Sequence, residues 1–410
     1  MSGEIWGVLE GVNLFEKLII FRSRIPALLL VFNTVTWSYM IRFLLDHVAP
    51  ISSPSIFNFR WLLFLVVLLS MILGSIIAEK VSRVRFLFAW VLLGVVSTLL
   101  PIIFPILSQD LAAIFLAIWG FSFGVGFPSC LALIPYSVGI EERGRVSGLI
   151  FFAISLVLPL LMLLVKQFDL FTNLLVLAIW RGLALIILLF RIEINPPKLE
   201  SVSYLSIIRN KTFLLYFFPW MAFSLVNYFG NQGLGYFYDQ SVVDMFFTIS
   251  FIAGCVSCLV SGWLIDLKGR RFMIIVGLTI LGLEYALLSL FPNIQPIQVF
   301  YGIVDGAAFG IFTVAFISVV WGDMSNGGQA EKFYALGTAP HLIALMLSAF
   351  VVPMLANLGI SSIFSLAAFF IFIAIIPIFF APELLPEEVI RKKELEKYVE
   401  EARKMVGKGD

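Results

Sequence analysis

The chain is a succession of apolar runs about twenty residues long, and no other feature limits its fold as tightly. Roughly 20 apolar residues in a helix cross about 30 Å of hydrocarbon, and a helix satisfies its own backbone hydrogen bonds where water is absent. Such runs are expected near 25–47, 57–79, 86–107, 110–138, 148–165 and 171–190, then near 212–237, 243–265, 272–291, 296–320, 333–357 and 360–380. The 410 residues are 61% hydrophobic and only 13% charged, against about 25% charged in soluble domains. A soluble fold has no interior large enough for that much apolar surface. The reading is an all-α polytopic membrane protein of twelve transmembrane helices, with the lipid bilayer as a partner.

Charge placement gives the helices a direction. With the amino terminus in the cytoplasm, all but four of the 27 Lys and Arg residues fall in inner segments. The exceptions are Lys166 in an outer loop and Arg42, Arg60 and Arg181 inside spans. This is the positive-inside bias, and an odd number of spans would smear it. Both ends are therefore expected in the cytoplasm and the protein in the plasma membrane. No secretory leader is read in Met1 to Arg24, where acids and bases precede the first span.

The pattern divides into a cytoplasmic amphipathic segment (1–24), a six-helix bundle (25–190), a cytoplasmic linker (191–211), a second six-helix bundle (212–380) and a charged tail (381–410). Pro196 and Pro197 interrupt the apolar pattern at the linker. Ile5, Leu9, Val12 and Ile19 share one face of the first segment. In the tail, Glu387–Arg391 and Glu388–Lys392 are favourable i,i+4 pairs.

A short echo relates the two bundles. Gly120, Gly124 and Phe127 in the fourth span repeat as Gly302, Gly306 and Phe309 in the tenth, with the spacing G-x-x-x-G-x-x-F. Each copy lies in the fourth span of its bundle, which points to duplication and pseudo-symmetry. Glycines four apart also let another helix backbone approach closely. Gly254, Cys258 and Gly262 form a similar small face in span eight. That face accounts for Cys255-x-x-Cys258 as packing, with no companion ligands for a metal.

Between spans eight and nine stands GWLIDLKGRR, in which Asp266 closes one helix, Gly269 reverses the chain, and Arg270 and Arg271 open the next. Acid and bases placed so can pair across helix ends as a latch. With Gly262, these residues closely resemble the G-x-x-x-D-x-x-G-R-R/K loop signature of the major facilitator superfamily. In that family the signature also occurs between spans two and three. Here that copy is eroded, with Gly74 followed by Glu79, Lys80, Arg83 and Arg85 and no turn glycine. The loop Glu141 to Gly148 is similar to the family's link between spans four and five. The resemblance implies two pseudo-symmetric bundles around a central cavity lined by spans one, four, seven and ten. Drug/proton antiporters of the family place an arginine on span four where Gly120 stands here, and a glycine-rich pattern on span five where Pro159 stands alone. The standard form of that mechanism is not expected.

Charges inside a membrane are costly and become functional candidates by default. Arg42 and Asp46 share a face of span one, and Asp305 lies in the outer half of span ten. An Arg42–Asp305 contact across the bundles, closing an outer gate or binding a charged solute, is set against a local Arg42–Asp46 helix pair. Asn33 and Trp37 on span one, and Asn227, Tyr228 and Asn231 on span seven, are further candidates for lining the cavity or for joining helices. Pro219 is expected to break span seven. Asp305, Glu284 and His341 are the candidates for ion coupling, with structural roles as the alternative for Glu284 and His341. Arg181 is read as structural before functional. Gly262, Asp266, Gly269, Arg270 and Arg271 form the candidate gating loop.

The function these features suggest is secondary active transport of a small-molecule solute by alternating access, with a proton or another ion as a coupling partner. No G-x-x-x-x-G-K-[ST] loop supports ATP binding, and nothing suggests nucleic acid, a cofactor, a metal or catalysis. The alternatives are a non-transporting membrane sensor or scaffold, and a lipid-modifying membrane enzyme. The enzyme would want clustered histidines or paired acids, whereas His47 and His341 lie in different spans.

Overall fold

A computed structural model of the protein describes residues 14–47, 60–104, 109–189, 202–325, 329–355 and 357–389, with single positions at 391 and 395; of 14–24, 45–47, 60, 109 and 110 it describes the backbone alone. The amphipathic face at 1–24, the side chain of Asp46, and most of the tail lie outside the described residues. Among the described residues, twelve helices are long and apolar enough to cross a membrane. They are Ile25–Leu44, Trp61–Lys80, Arg83–Ile103, Leu111–Ser137, Arg143–Val165, Leu170–Leu189, Lys211–Tyr236, Gln240–Lys268, Arg270–Leu290, Gln295–Met324, Ala330–Leu355 and Ile360–Phe380, here spans one to twelve. Several overrun the expected apolar stretch. Span five begins at Arg143 and span eight ends at Lys268, because the helices continue into charged turns that pair with other spans.

Packing repeats with a period of six spans. Two packs on four, three on six, one on five and six; correspondingly eight packs on ten, nine on twelve, seven on eleven and twelve. The two sets meet where five crosses eight and where eleven crosses two, and a shift of six spans converts one crossing into the other. The glycine echo has the same geometry. A β-carbon at Gly124 would lie 2.6 Å from the Val67 carbonyl oxygen on span two, and one at Gly306 would lie 2.1 Å from the Ser250 carbonyl oxygen on span eight.

The crossings differ in substance. Where five meets eight, a β-carbon at Gly144 would stand 2.5 Å from the Gly262 oxygen, and one at Gly148 2.3 Å from the Cys258 oxygen. Backbone touches backbone. Where two meets eleven, the contact is a cluster of side chains: Phe64, Val67 and Met71 with Ala335, Leu342 and Leu345.

The irregularities that bear on the cavity fall in spans four and ten; span eleven is also interrupted at Thr338 and span seven ends in a 3-10 turn, Leu234–Tyr236. Span four breaks after Gly124 and resumes at Phe127. Span ten carries a π-helical stretch, Thr313–Val319, a local widening of the kind that often marks functional sites. Span seven does not break at Pro219; Lys211–Gly233 is one helix. Proline removes one backbone donor, and the rest of the ladder keeps the helix whole. Between spans six and seven, helix Tyr204–Arg209 is capped by the Ser203 hydroxyl. It docks on span two through Tyr204, whose hydroxyl meets Ser75 and donates to the Ile72 oxygen. Burial pushes the Tyr204 phenol up to about 12, so it keeps the proton it donates. This end of the bundle is called the linker end below.

Candidate functional site

A cavity of about 520 Å³ lies between the two sets of six spans. Its walls come from spans one, two, four, five, seven, eight, ten and eleven. The repeated phenylalanines, Phe127 and Phe309, both face it. The cavity occupies the middle and the far end of the bundle, away from the linker.

Of the residues singled out in the sequence, Trp37, Arg42, Asn231, Asp305 and His341 line the cavity. Asn227 and Tyr228 stand behind them. Asn227 donates to Asp305 Oδ1 at 3.1 Å, while Ser250 donates to Oδ2 at 2.8 Å. Tyr228 hydrogen-bonds the His341 ring, 2.8 Å from Nδ1. Tyr301 donates to Asn231 at 2.9 Å. Asn33 turns away, donating to the Trp180 oxygen at 2.6 Å and so tying span one to span six. Among the described residues no ion pair joins Arg42 to Asp305: the carboxylate is occupied by neutral donors, and the guanidinium sits 5.6 Å over the Phe64 ring.

Two buried charges lie behind the walls. Arg181 is fully buried and donates to Thr34 Oγ1 at 2.8 Å. Its guanidinium is held between two indoles, 4.3 Å from Trp90 and 4.9 Å from Trp37. The break in span four makes this possible, because a β-carbon at Gly126 would lie 2.1 Å from the Trp90 ring. Trp37 thus separates the cavity from Arg181. On the opposite side Glu284 is fully buried, with no hydrogen-bond donor to either carboxylate oxygen among the described residues.

The linker end is sealed by ion pairs between the two sets of spans. Asp323, at the end of span ten, accepts from Arg143 of span five at 2.7 Å and from Arg270 of span nine at 2.8 Å. Asp266 accepts from the backbone N–H of Gly144 at 2.9 Å and of Arg145 at 2.8 Å. It therefore caps the amino terminus of span five, where the preceding Glu142 supplies no side-chain cap. Arg270 also lies 3.3 Å from Asp266. The turn at Gly269 has φ 97°, open to glycine at little cost, and Glu383 caps the helix that follows by accepting from the Arg270 and Arg271 N–H groups. The eroded copy of the loop forms a second seal. Arg83 pairs with Glu331 at 2.6 Å, Tyr136 donates to the same carboxylate, and Lys332 pairs with Glu79 at 2.8 Å.

Asp323, Glu331, Glu383 and Trp90 were not candidates from sequence. The acid in SVVWGDM, directly after an apolar run, was the one available signal for Asp323.

A twelve-span bundle of two related sixes, closed at one end by ion pairs around a central cavity, has the architecture of a membrane transporter. The sequence model described as Major Facilitator Superfamily matches residues 64–322 and 201–408. The chain belongs to the major facilitator superfamily. Among solved structures it is similar to the human organic anion transporter MFSD10 (TETRAN), with TM-score 0.62 and 14% identity over 88% of this chain and 98% of that one. It is also similar to the proton:xylose symporter XylE bound to 6-bromo-6-deoxy-D-glucose, with TM-score 0.69 and 14% identity over 89% and 96%. No curated protein matches significantly by sequence.

Proposed function

We propose that the protein is a secondary active transporter that carries a small solute by alternating access of the bundles 25–190 and 212–380. The observation that carries this reading is the pairing of a central cavity with a linker end closed by bonds between the bundles. Ion pairs are suited to such a seal: broken, each charge is hydrated at an opened vestibule. With both termini cytoplasmic, the closed end faces the cytoplasm and the cavity faces outward. Asp305, Glu284 and His341 are the candidates for coupling. Asp305 lines the cavity with neutral partners alone, which makes it the first to test. The fold shared with a proton symporter makes the proton the first coupling ion to try.

The experiment is uptake and counterflow in proteoliposomes over a broad solute panel, with and without an imposed proton gradient. At least one solute is expected to accumulate, and Asp305→Asn is expected to abolish gradient-driven accumulation more than exchange. Absence of saturable uptake or exchange for every solute, from protein that remains folded, overturns the proposal.

A further inference from the structure

The intramembrane charges around the cavity are sorted by sign. Among the described residues, the first six spans place Arg42 on the wall and Arg181 behind Trp37. The second six place Asp305 on the wall and bury Glu284 behind it. His341, Cys255 and Cys258 are the other titratable side chains on the second wall, and the His341 ring is bonded to Tyr228. Among the described residues, no side chain of the opposite sign pairs with either wall charge within its own set of spans; the Asp46 side chain lies outside them. Such separated charges attract unlike groups of a solute from the two sides of the chamber, the more strongly as water is displaced. A solute with one charge leaves one wall unmatched, whereas a solute with both matches each.

The rest of the lining limits the body of that solute. Trp37, Trp119, Trp220, Phe123, Phe151 and Phe309 dominate it. A polyhydroxylated ligand would leave hydroxyls unpaired against these rings, at a cost for each. An aromatic or branched apolar body fills them, and a volume of about 520 Å³ suits a compound of drug-like size.

We infer that the cavity takes an amphipathic zwitterion, its anionic group on Arg42, its ammonium on Asp305 and its apolar body against the aromatic lining. The inference rests on the transporter reading above. It also supplies a reason for closure: a solute that spans both walls draws the two bundles together where they stand apart. A singly charged solute has no such grip on both.

Three tryptophans on the cavity wall allow a direct test of binding. The purified full-length protein is titrated with biphenylalanine, with its N-acetyl derivative and with its carboxamide, followed by intrinsic fluorescence. The three probes share a body and differ in charge. The zwitterion is expected to bind at least tenfold more tightly than either derivative. Arg42→Gln is expected to bring its affinity to that of the carboxamide, and Asp305→Asn to that of the N-acetyl form. The inference is overturned if either derivative binds as tightly as the zwitterion, if none of the three binds, or if each variant weakens all three probes equally. A zwitterion that binds with the expected pattern yet shows no counterflow in proteoliposomes overturns the transporter reading instead.

Discussion

Arg143 and Asp323 meet at 2.7 Å across the two bundles, 180 residues apart in the chain, with the carboxylate completely buried. Asp323 serves Arg270 at the same time, so one acid holds two guanidinium groups. Removing it leaves Arg143 without its acid partner and Arg270 with Asp266 alone, a cost of about 3–5 kcal/mol when a buried pair is broken. Asp323→Ala is therefore expected to open the linker end. With Cys130 and Cys255 changed to serine, labelling of Cys258 by a membrane-impermeant thiol reagent from the linker side should rise several-fold. Unchanged labelling would show that the seal does not depend on this acid.

The crossing of spans five and eight has no room for a side chain. Gly148→Val should force the backbones apart and cost about 1–3 kcal/mol, as overpacking does. The expected result is a lower thermal midpoint together with loss of transport. Gly230 has nothing within 4 Å of a β-carbon, so Gly230→Ala in the same assay should leave both readouts near those of the parent.

Arg181 depends on a glycine of span three. A β-carbon at Gly94 would lie 2.8 Å from its Nε. Gly94→Ala should displace the guanidinium from the Trp37–Trp90 sandwich, destabilise the protein by about 1–3 kcal/mol and alter tryptophan emission. Arg181→Lys keeps the charge but lacks the planar group that stacks on both indoles, and should fail to restore the parent midpoint. Full stability in Arg181→Lys would rule out a requirement for stacking.

Glu383 caps span nine from beyond span twelve. Glu383→Ala should cost about 1–2 kcal/mol, the range for a lost helix cap. Because the capped residue is Arg270, linker-side labelling of Cys258 should increase as well. A stability loss with no change in labelling would separate the cap from the seal.

Much of this architecture was legible in the sequence because the bilayer imposes a length and a polarity on each span, and both are local properties. The Gly–Phe echo was legible for the same reason: three residues within one helix carry it. The seals were not. Asp266 was visible as part of a loop, yet its partners are the N–H groups of Gly144 and Arg145, more than 100 residues earlier. Arg143 counted in the sequence as one more inner-loop base, and Glu331 drew no attention. Asn33 illustrates the converse. An amide within a central span suggests a cavity wall, but the carbonyl of Trp180 lies within reach and takes its hydrogen bond. Pro219 failed as a predictor of a break because proline costs a helix one bond, and the surrounding spans hold the rest in line.

The unlike crossings have a mechanical consequence. Two bodies that rock on each other turn about the place where they yield least. Bare backbone at Gly144, Gly148, Gly262 and Cys258 offers nothing to compress, and so behaves as a stiff bearing. Phe64, Met71, Leu342 and Leu345 meet through side chains, which change rotamer at less cost than backbone can move, and so make the more compliant bearing. The doorway should widen lopsidedly, more beside spans two and eleven than beside five and eight, so that a solute enters and leaves past the phenylalanine rather than past the glycines.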